Sequence, residues 1–327
     1  MTTPAFFKTA GLAKLSLASL LAAVPAFSQV TIKSEMNEGT GWGKTKMFKE
    51  MPKEITVSQF NVILMTTRVA GTSKTTKDRA SGAFSTTGIA MRAELPLSEA
   101  TAQAISDAGF AYLKSQLEAK GYTVNVFDAA ALSASKAFTK YAGKNDDAKV
   151  SRGGVIPFKD ENKVDERYYA HAMGVSNAYL GKNPGPGGMG YTTLAMEMGG
   201  KEGKITASVV AVIDFTESNT DASTTFGNTT VSVAFKPSLR LIDIPAMGGQ
   251  PAMNFHSSGA VGGKVWGGYE YLNGDGSWLK EAVKQGDGGL VVYNINEEAY
   301  KAASVALLKT YVDQLVARID AAKEAGK

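Results

Sequence analysis

Two runs of β-branched and apolar side chains, Ile55 to Met65 (ITVSQFNVILM) and Ile205 to Phe215 (ITASVVAVIDF), do most to limit how this chain can fold. Segments of that length and composition predict strands, and the 55–65 run, which ends wholly apolar, predicts a central one. Around them the sequence places helices able to cover a sheet. Ser98 can cap the free amides of a helix start, and Pro96 is tolerated only near that end. Behind them, Ile105, Gly109, Tyr112 and Gln116 share one face, with Phe110, Leu113 and Leu117 in the adjoining stripe, until Lys120 and Gly121 stop the helix. Tyr122 to Phe127 (YTVNVF) alternates as a strand, and Ala129 to Tyr141 predicts a second, weaker helix. If the two strands pair in parallel, a right-handed crossover joins them.

The rest of the chain is read in the same way. Residues 66–88 are a Ser/Thr/Lys/Gly segment with little to bury, expected to be mobile or to form an exposed hairpin, and 89–95 predict a short strand. Residues 142–203 read as a loop-rich insertion with one short helix around Tyr168 to Tyr179. From Lys204 onward the pattern predicts an antiparallel meander: the 205–215 strand, a polar turn (TESNTDAS), a strand from Thr229 to Ile244, a second turn (PAMGGQ), and a last strand segment beginning at Met253. Pro237 cannot donate to a ladder, so its strand is bulged there or lies at an edge.

A long helix opens near Asn296, with Glu297 and Glu298 in its first turn where the dipole favours negative charge. Leu308, Tyr311, Val312, Leu315 and Ile319 fall on one face, which should cover the sheet. Val305 and Val316 broaden that face, making contact with a second subunit the lesser alternative. The expected fold class is therefore α/β (α+β): a strand-helix-strand unit plus an antiparallel meander under a long C-terminal helix. It forms a single domain over 55–327, preceded by a polar arm at 29–54.

The beginning of the chain carries an address. Lys8 and Lys14 precede an uncharged run (LSLASLLAAV), then Pro25, Ala26, Phe27 and Ser28, which is the charged, apolar and small-residue order of a secretory signal over 1–28. The apolar run is about ten residues, half of what a membrane-crossing helix needs, so no membrane span is expected in the mature chain. About 300 residues remain after cleavage, enough to bury a core without staples. The chain has no cysteine, which excludes disulfides and any lipid on a cleavage-site thiol. With a formal net charge of +4 and no dense Lys/Arg stripe, nucleic acid is not an expected partner. Exported, cysteine-free composition points to a bacterial periplasm or cell surface, and to itself or other envelope proteins as partners.

The segment from Ser232 to Gly263 (SVAFKPSLRLIDIPAMGGQPAMNFHSSGAVGG) before a terminal amphipathic helix resembles the domain of curli secretion channel subunits and related envelope lipoproteins. Leu239, Arg240, Leu241, Ile242 and Asp243, then Ser257, Ser258, Gly259 and Gly262, carry the likeness over some 60 residues. The resemblance implies an outer-membrane-associated protein that assembles with a secretion or surface machine. It departs from that family in lacking the acylated cysteine. It also shows no pair of membrane-spanning hairpins, because residues 66–88 hold the position of one but are too polar to face lipid.

Catalytic groups are scarce. Gly43, Lys44 and Thr45 lack the preceding glycine of a phosphate loop and read as a flexible arm. The Gly181 to Gly190 run (GKNPGPGGMG) reads as a rigid surface loop. His171 and His256 stand far apart without partners at ligand spacing, so no metal site is expected. No nucleophile elbow occurs. Asp160, Glu161, Asp165 and Glu166 could bind calcium or pair as acid and base, but the interspersed Lys159, Lys163 and Arg167 favour a solvated face. Asn273 and Asp275 in LNGDGSW read as a tight turn. Trp266, Tyr269, Tyr271 and Trp278 form an aromatic cluster that would offer a binding surface if exposed and would close the sheet if buried. No cofactor and no catalytic residue is expected. The sequence thus favours a non-catalytic envelope protein with an assembly, secretion-associated or scaffolding role. The alternative is a periplasmic or secreted ligand-binding protein or hydrolase using residues 153–200.

Overall fold

The computed structural model describes residues 53–77, 81–126, 129–136, 152–159, 166–176, 205–225, 228–242, 276–285 and 289–325, the backbone of 30–32, 38–39, 252–256, 264–266 and 271–273, and single residues 139 and 197. In chain order the elements are β1 (Val30–Ile32), β2 (Glu38–Gly39), β3 (Glu54–Met65), β4 (Thr67–Lys77), β5 (Phe84–Glu94), α1 (Glu99–Ala119), β6 (Thr123–Val126), α2 (Ala129–Ala134), β7 (Arg152–Phe158) and β8 (Arg167–Ser176). Then follow β9 (Ile205–Thr225), β10 (Asn228–Leu241), β11 (Ala252–His256), β12 (Lys264–Trp266), β13 (Tyr271–Asn273), β14 (Leu279–Gln285), β15 (Leu290–Ile295) and α3 (Glu297–Ala325). The class is α+β: mixed sheets with helices, ending in the long C-terminal helix.

The apolar runs sit where their composition requires. In the larger sheet β3 lies between β9, which is parallel to it, and on its other side β6 (parallel) and β8 (antiparallel). From Ile55 to Met65 only Thr56 is not fully buried. The smaller sheet has the order β14-β15-β5-β4, and the chain passes from one sheet to the other at Thr66, between β3 and β4.

Helix α1 begins as expected, with the Ser98 side chain accepting from the Thr101 amide, and Gly121 just beyond its end takes a φ of 82°. Its buried face is Ala102, Ile105, Ser106, Gly109, Leu113 and Leu117; Tyr112 and Phe110 lie at the margin. Gly109 permits the closest approach in the core, because a Cβ there would stand 2.9 Å from Leu308 of α3 and 3.0 Å from the Phe60 ring. On α3, Leu308, Tyr311, Val312, Leu315 and Ile319 are all buried. The starts of the two helices are joined where the Ser98 and Thr101 hydroxyls donate to the Glu297 carboxylate, which holds its pKa below the ordinary value.

Four local expectations need correction. The helix expected around Tyr168 to Tyr179 is strand β8 over its described part, and β7 pairs with it, so the 142–203 insertion contributes two strands to the larger sheet. Aromatic side chains with Tyr169 and His171 buried on one face suit a pleated strand better than a helix. Within the arm at 29–54, β1 pairs with β13 and β2 with β12. The expected turn at TESNTDAS is instead the continuation of β9, which runs to Thr225. Finally, the short strand at 89–95 is the end of an eleven-residue strand, β5.

Candidate functional site: two stacked hairpins

The polar segment after β3 forms the β4–β5 hairpin, in continuous register from Thr67↔Glu94 to Lys77↔Phe84. A second hairpin is built from the distal part of β9 and β10, from Pro237↔Thr216 out to Asn228↔Thr225. Each extends by roughly 35 Å at about 3.3 Å per residue. Alternation makes one face of each hairpin apolar or partly buried and leaves the other polar. On β10, Val231, Val233 and Phe235 alternate with the exposed Thr230, Ser232, Ala234 and Lys236. On β4, Ala70, Thr72, Lys74 and Thr76 alternate with the exposed Val69, Gly71, Ser73, Thr75 and Lys77. The less exposed faces stack on each other.

The stack is thin. Ala70 and Val233 are the buried apolar side chains of its outer part, while Ile89 and Phe84 remain exposed. Lys74 reaches across to the Ala222 carbonyl at 3.4 Å. Matching hydroxyls bridge neighbouring strands, Thr75 with Thr86 and Ser223 with Thr230, both at 2.9 Å. Exposed pairs of this kind hold a hairpin's register with small energies, a few tenths of a kcal/mol to about 1 each.

At the root the chemistry changes. Asp214 is wholly buried, with Arg240 of its own hairpin at 3.2 Å and Arg68 of the other at 3.4 Å, and it accepts from the Phe215 amide at 2.9 Å. Burial pushes its pKa up, opposed by the two guanidinium groups and by backbone amides. Arg240 also donates to the Thr216 carbonyl at 2.8 Å. Below it, Tyr293 of β15 bonds Thr216 at 2.8 Å and meets Phe215 edge-on at 5.4 Å, which ties the two sheets together. Between Pro237 and Arg240 the β9–β10 register shifts, the bulge anticipated from the proline.

Both hairpins leave backbone edges open among the described residues. β4 is the last strand of its sheet, and β5 gives only Arg92–Glu94 to β15. β10 gives only Leu239–Leu241 to β13, and beyond Asp214 β9 has β10 as its partner. Unpaired edges this long are templates for another chain unless charge or a bulge blunts them.

The residues singled out from the sequence are dispersed. Trp278 is buried and meets Tyr300 edge-on at 5.8 Å, so it closes the core. Trp266 and Tyr271 lie in β12 and β13, with only their backbone described, and Tyr269 lies outside the described residues. The Gly43–Thr45 and Gly181–Gly190 segments, Asp160, Glu161 and Asp165, and Asp243 to Gly262 apart from Ala252–His256 also lie outside them. Of the acidic group Glu166 is described. It lines a cleft of about 240 Å³ with Glu94, Lys159, Tyr168 and Pro157, and Arg92 engages both carboxylates, at 2.6 Å to Glu94 and 3.5 Å to Glu166. A second cleft, about 560 Å³, has Phe110, Val124, Val126 and Met173 as its apolar wall and Lys114 and Glu54 among its polar lining.

His171 is fully buried, and desolvation lowers its pKa to about 3, so it is neutral across the physiological range. It stands opposite Asn61 of β3, with Ser208 close by on β9; the side chains of all three lack a hydrogen-bond partner among the described residues. Among the described residues no three His, Asp or Glu side chains gather as a metal site, and no helix is long and apolar enough to cross a membrane.

The strand expected from Thr229 and the exposed hairpin offered as one reading of 66–88 correspond to β10 and β4–β5; the end of β9, TESNTDAS, is hidden because its polarity suggests a turn. In comparison with known proteins, no family model, no curated protein and no solved structure matches this chain.

Proposed function

We propose that this chain is an exported, non-catalytic protein of the bacterial envelope whose work is assembly, with itself or with envelope partners, through the paired hairpins. The observation that carries this reading is the pair of long hairpins with open edges. Strand direction supports it as well. β4 and β9 run outward and β5 and β10 return, so an edge of β4 against β10, or of β5 against β9, extends an antiparallel sheet from copy to copy. The signal-like N-terminus supplies the compartment, and the resemblance through Leu239–Ile242 to secretion-channel subunits points the same way.

Two features weigh against a hydrolase. The carboxylates of the smaller cleft are engaged by Arg92, and His171 is sealed in the interior with a pKa far below that of a useful base. The test is the mass of the signal-free protein by size-exclusion chromatography with light scattering across a concentration series. Oligomers that disappear when Ser73 and Val231, whose amides face away from their hairpin partners, are both replaced by proline are the expected result. A strict monomer at every concentration that also pulls down no envelope protein overturns the reading.

A further inference from the structure

The root and the outer part of the stacked hairpins are built to different standards, and that difference has a direction. At the root Asp214 holds two arginines, one from each hairpin. An aspartate with one partner would be left buried and uncompensated whenever the layers parted, a strongly unfavourable state. With two, it keeps Arg240, which is additionally fixed by the Thr216 carbonyl, while Arg68 departs. Arg68 is itself the more exposed of the pair, with 31% of its side chain accessible against 14% for Arg240, so solvent can take over its charge.

The two hairpins also differ in how they join the core. β9 runs unbroken from the larger sheet into its hairpin over 21 residues. The other hairpin starts after the break at Thr66, where the amides of Thr66 and Thr67 both donate to the Glu166 carbonyl. Above the root the layers share little buried apolar surface, Ala70 and Val233 at 9% and 8% exposure, so separating them exposes few side chains that water does not already reach.

We infer that the β4–β5 hairpin is a hinged leaf, clasped to the β9–β10 hairpin by Arg68 on Asp214, and that it swings away when the hairpin edges pair with another copy of the chain. The inference rests on the assembly reading and says what regulates it. In the free chain the clasp keeps the layers stacked, and stacking holds the open edges of one hairpin out of plane with those of the other. Opening breaks one ion pair and the Lys74 to Ala222 contact, leaving the Asp214–Arg240 pair and the Tyr293 anchor in place.

The absence of cysteine makes the test direct. Ser73 and Ser232, both exposed, are replaced by cysteine in the signal-free protein, spin-labelled, and their separation measured by pulsed electron resonance on the monomer fraction and on any oligomer fraction. The parent monomer should give one short distance. Arg68→Gln should add a longer, broader population in the monomer, Arg68→Lys should restore the short one, and Arg240→Gln should lower the melting temperature without opening the hairpins. Oligomers should show only the long distance. If Arg68→Gln gives the parent distribution with an unchanged melt, or if oligomers keep the short distance, the hinge is wrong even though assembly stands. If no oligomer forms, the assembly reading fails, and the Arg68→Gln monomer still decides whether a clasp exists.

Discussion

Strand β9 passes through two environments within 21 residues. From Ala207 to Thr216 every residue is buried, with β3 and β10 or β11 beside it; from Ser218 to Thr225 it is exposed or half-buried, with hydroxyl pairs for support. Both halves are regular strand. The second half shows that a strand forms without burial, but burial decides how firmly it is held. Stability should therefore fall steeply along β9, with Asp214 at the boundary. Local opening free energies in one protein range from near zero to the global value.

The largest effect belongs to the inner region. Phe60 is 1% exposed, packs on Phe110 at 5.8 Å and fills the space that Gly109 leaves between α1 and α3. Phe60→Ala should cost about 3–5 kcal/mol in chemical denaturation and leave the melt a single step. Gly109→Val should approach the same loss, because its Cβ meets the Leu308 side chain at 2.9 Å and the Phe60 ring at 3.0 Å. A loss under about 1 kcal/mol for either would break the division drawn here.

At the boundary itself, Asp214→Ala leaves two guanidinium groups without their carboxylate. It should destabilise the fold by about 3 kcal/mol, discounted from the fully buried case because Arg68 and Arg240 keep some access to water. Equilibrium unfolding of this variant beside Arg68→Gln sharpens the comparison. The aspartate should matter several times more than the arginine that belongs to the hinged hairpin.

His171 gives a pH-dependent version of the same contrast. Its folded pKa is about 3, against an ordinary 6.5, so the unfolded chain takes up a proton that the folded chain refuses. Stability tied to this group is present above pH 6.5 and is lost as pH falls through the window from 6.5 towards 3, by several kcal/mol at most. Asp214, whose pKa is raised from 3.8, acts in the opposite sense: its contribution is complete below 3.8 and declines as pH rises through the folded value. His171→Leu should flatten the acid limb of a stability-against-pH curve. At neutral pH it should cost little, since the imidazole it removes has no hydrogen-bond partner among the described residues. An acid limb unchanged by this substitution would mean that the group titrates normally.

How much of this could be read from residues follows the same boundary. The runs at 55–65 and 205–215 were legible as continuous apolar, β-branched stretches, the face of the last helix from its spacing of three and four, and the Ser98 cap and the break at Pro237 from the chemistry of single residues. β8 reads as a short helix in the sequence because it lies between a charged stretch and a glycine- and proline-rich one, with no long apolar run to mark a strand. The outer part of β9 reads as a turn because a strand that buries little need not be apolar, so the polar composition of TESNTDAS carries no strand signal. The aromatic cluster failed as a unit for a related reason. Trp278 lies against Tyr300 of α3, a contact made across the intervening β14–β15 hairpin that no local spacing encodes.

The smallest effect tests the outer region most directly. Val233 is 8% exposed on the less exposed face of β10, and Ala70 is the other buried apolar side chain of the outer part. Two methyl groups removed from a core would cost more than 2 kcal/mol; here Val233→Ala should cost about 1 kcal/mol or less. The loss should be local. Amides of residues 69–76 and 218–225 should exchange faster in Val233→Ala than in the parent, while those of 207–213 exchange at the parent rate. If instead the core amides accelerate together with the hairpin amides, the hairpins and the core open as one unit, and the clasp at Asp214 separates nothing.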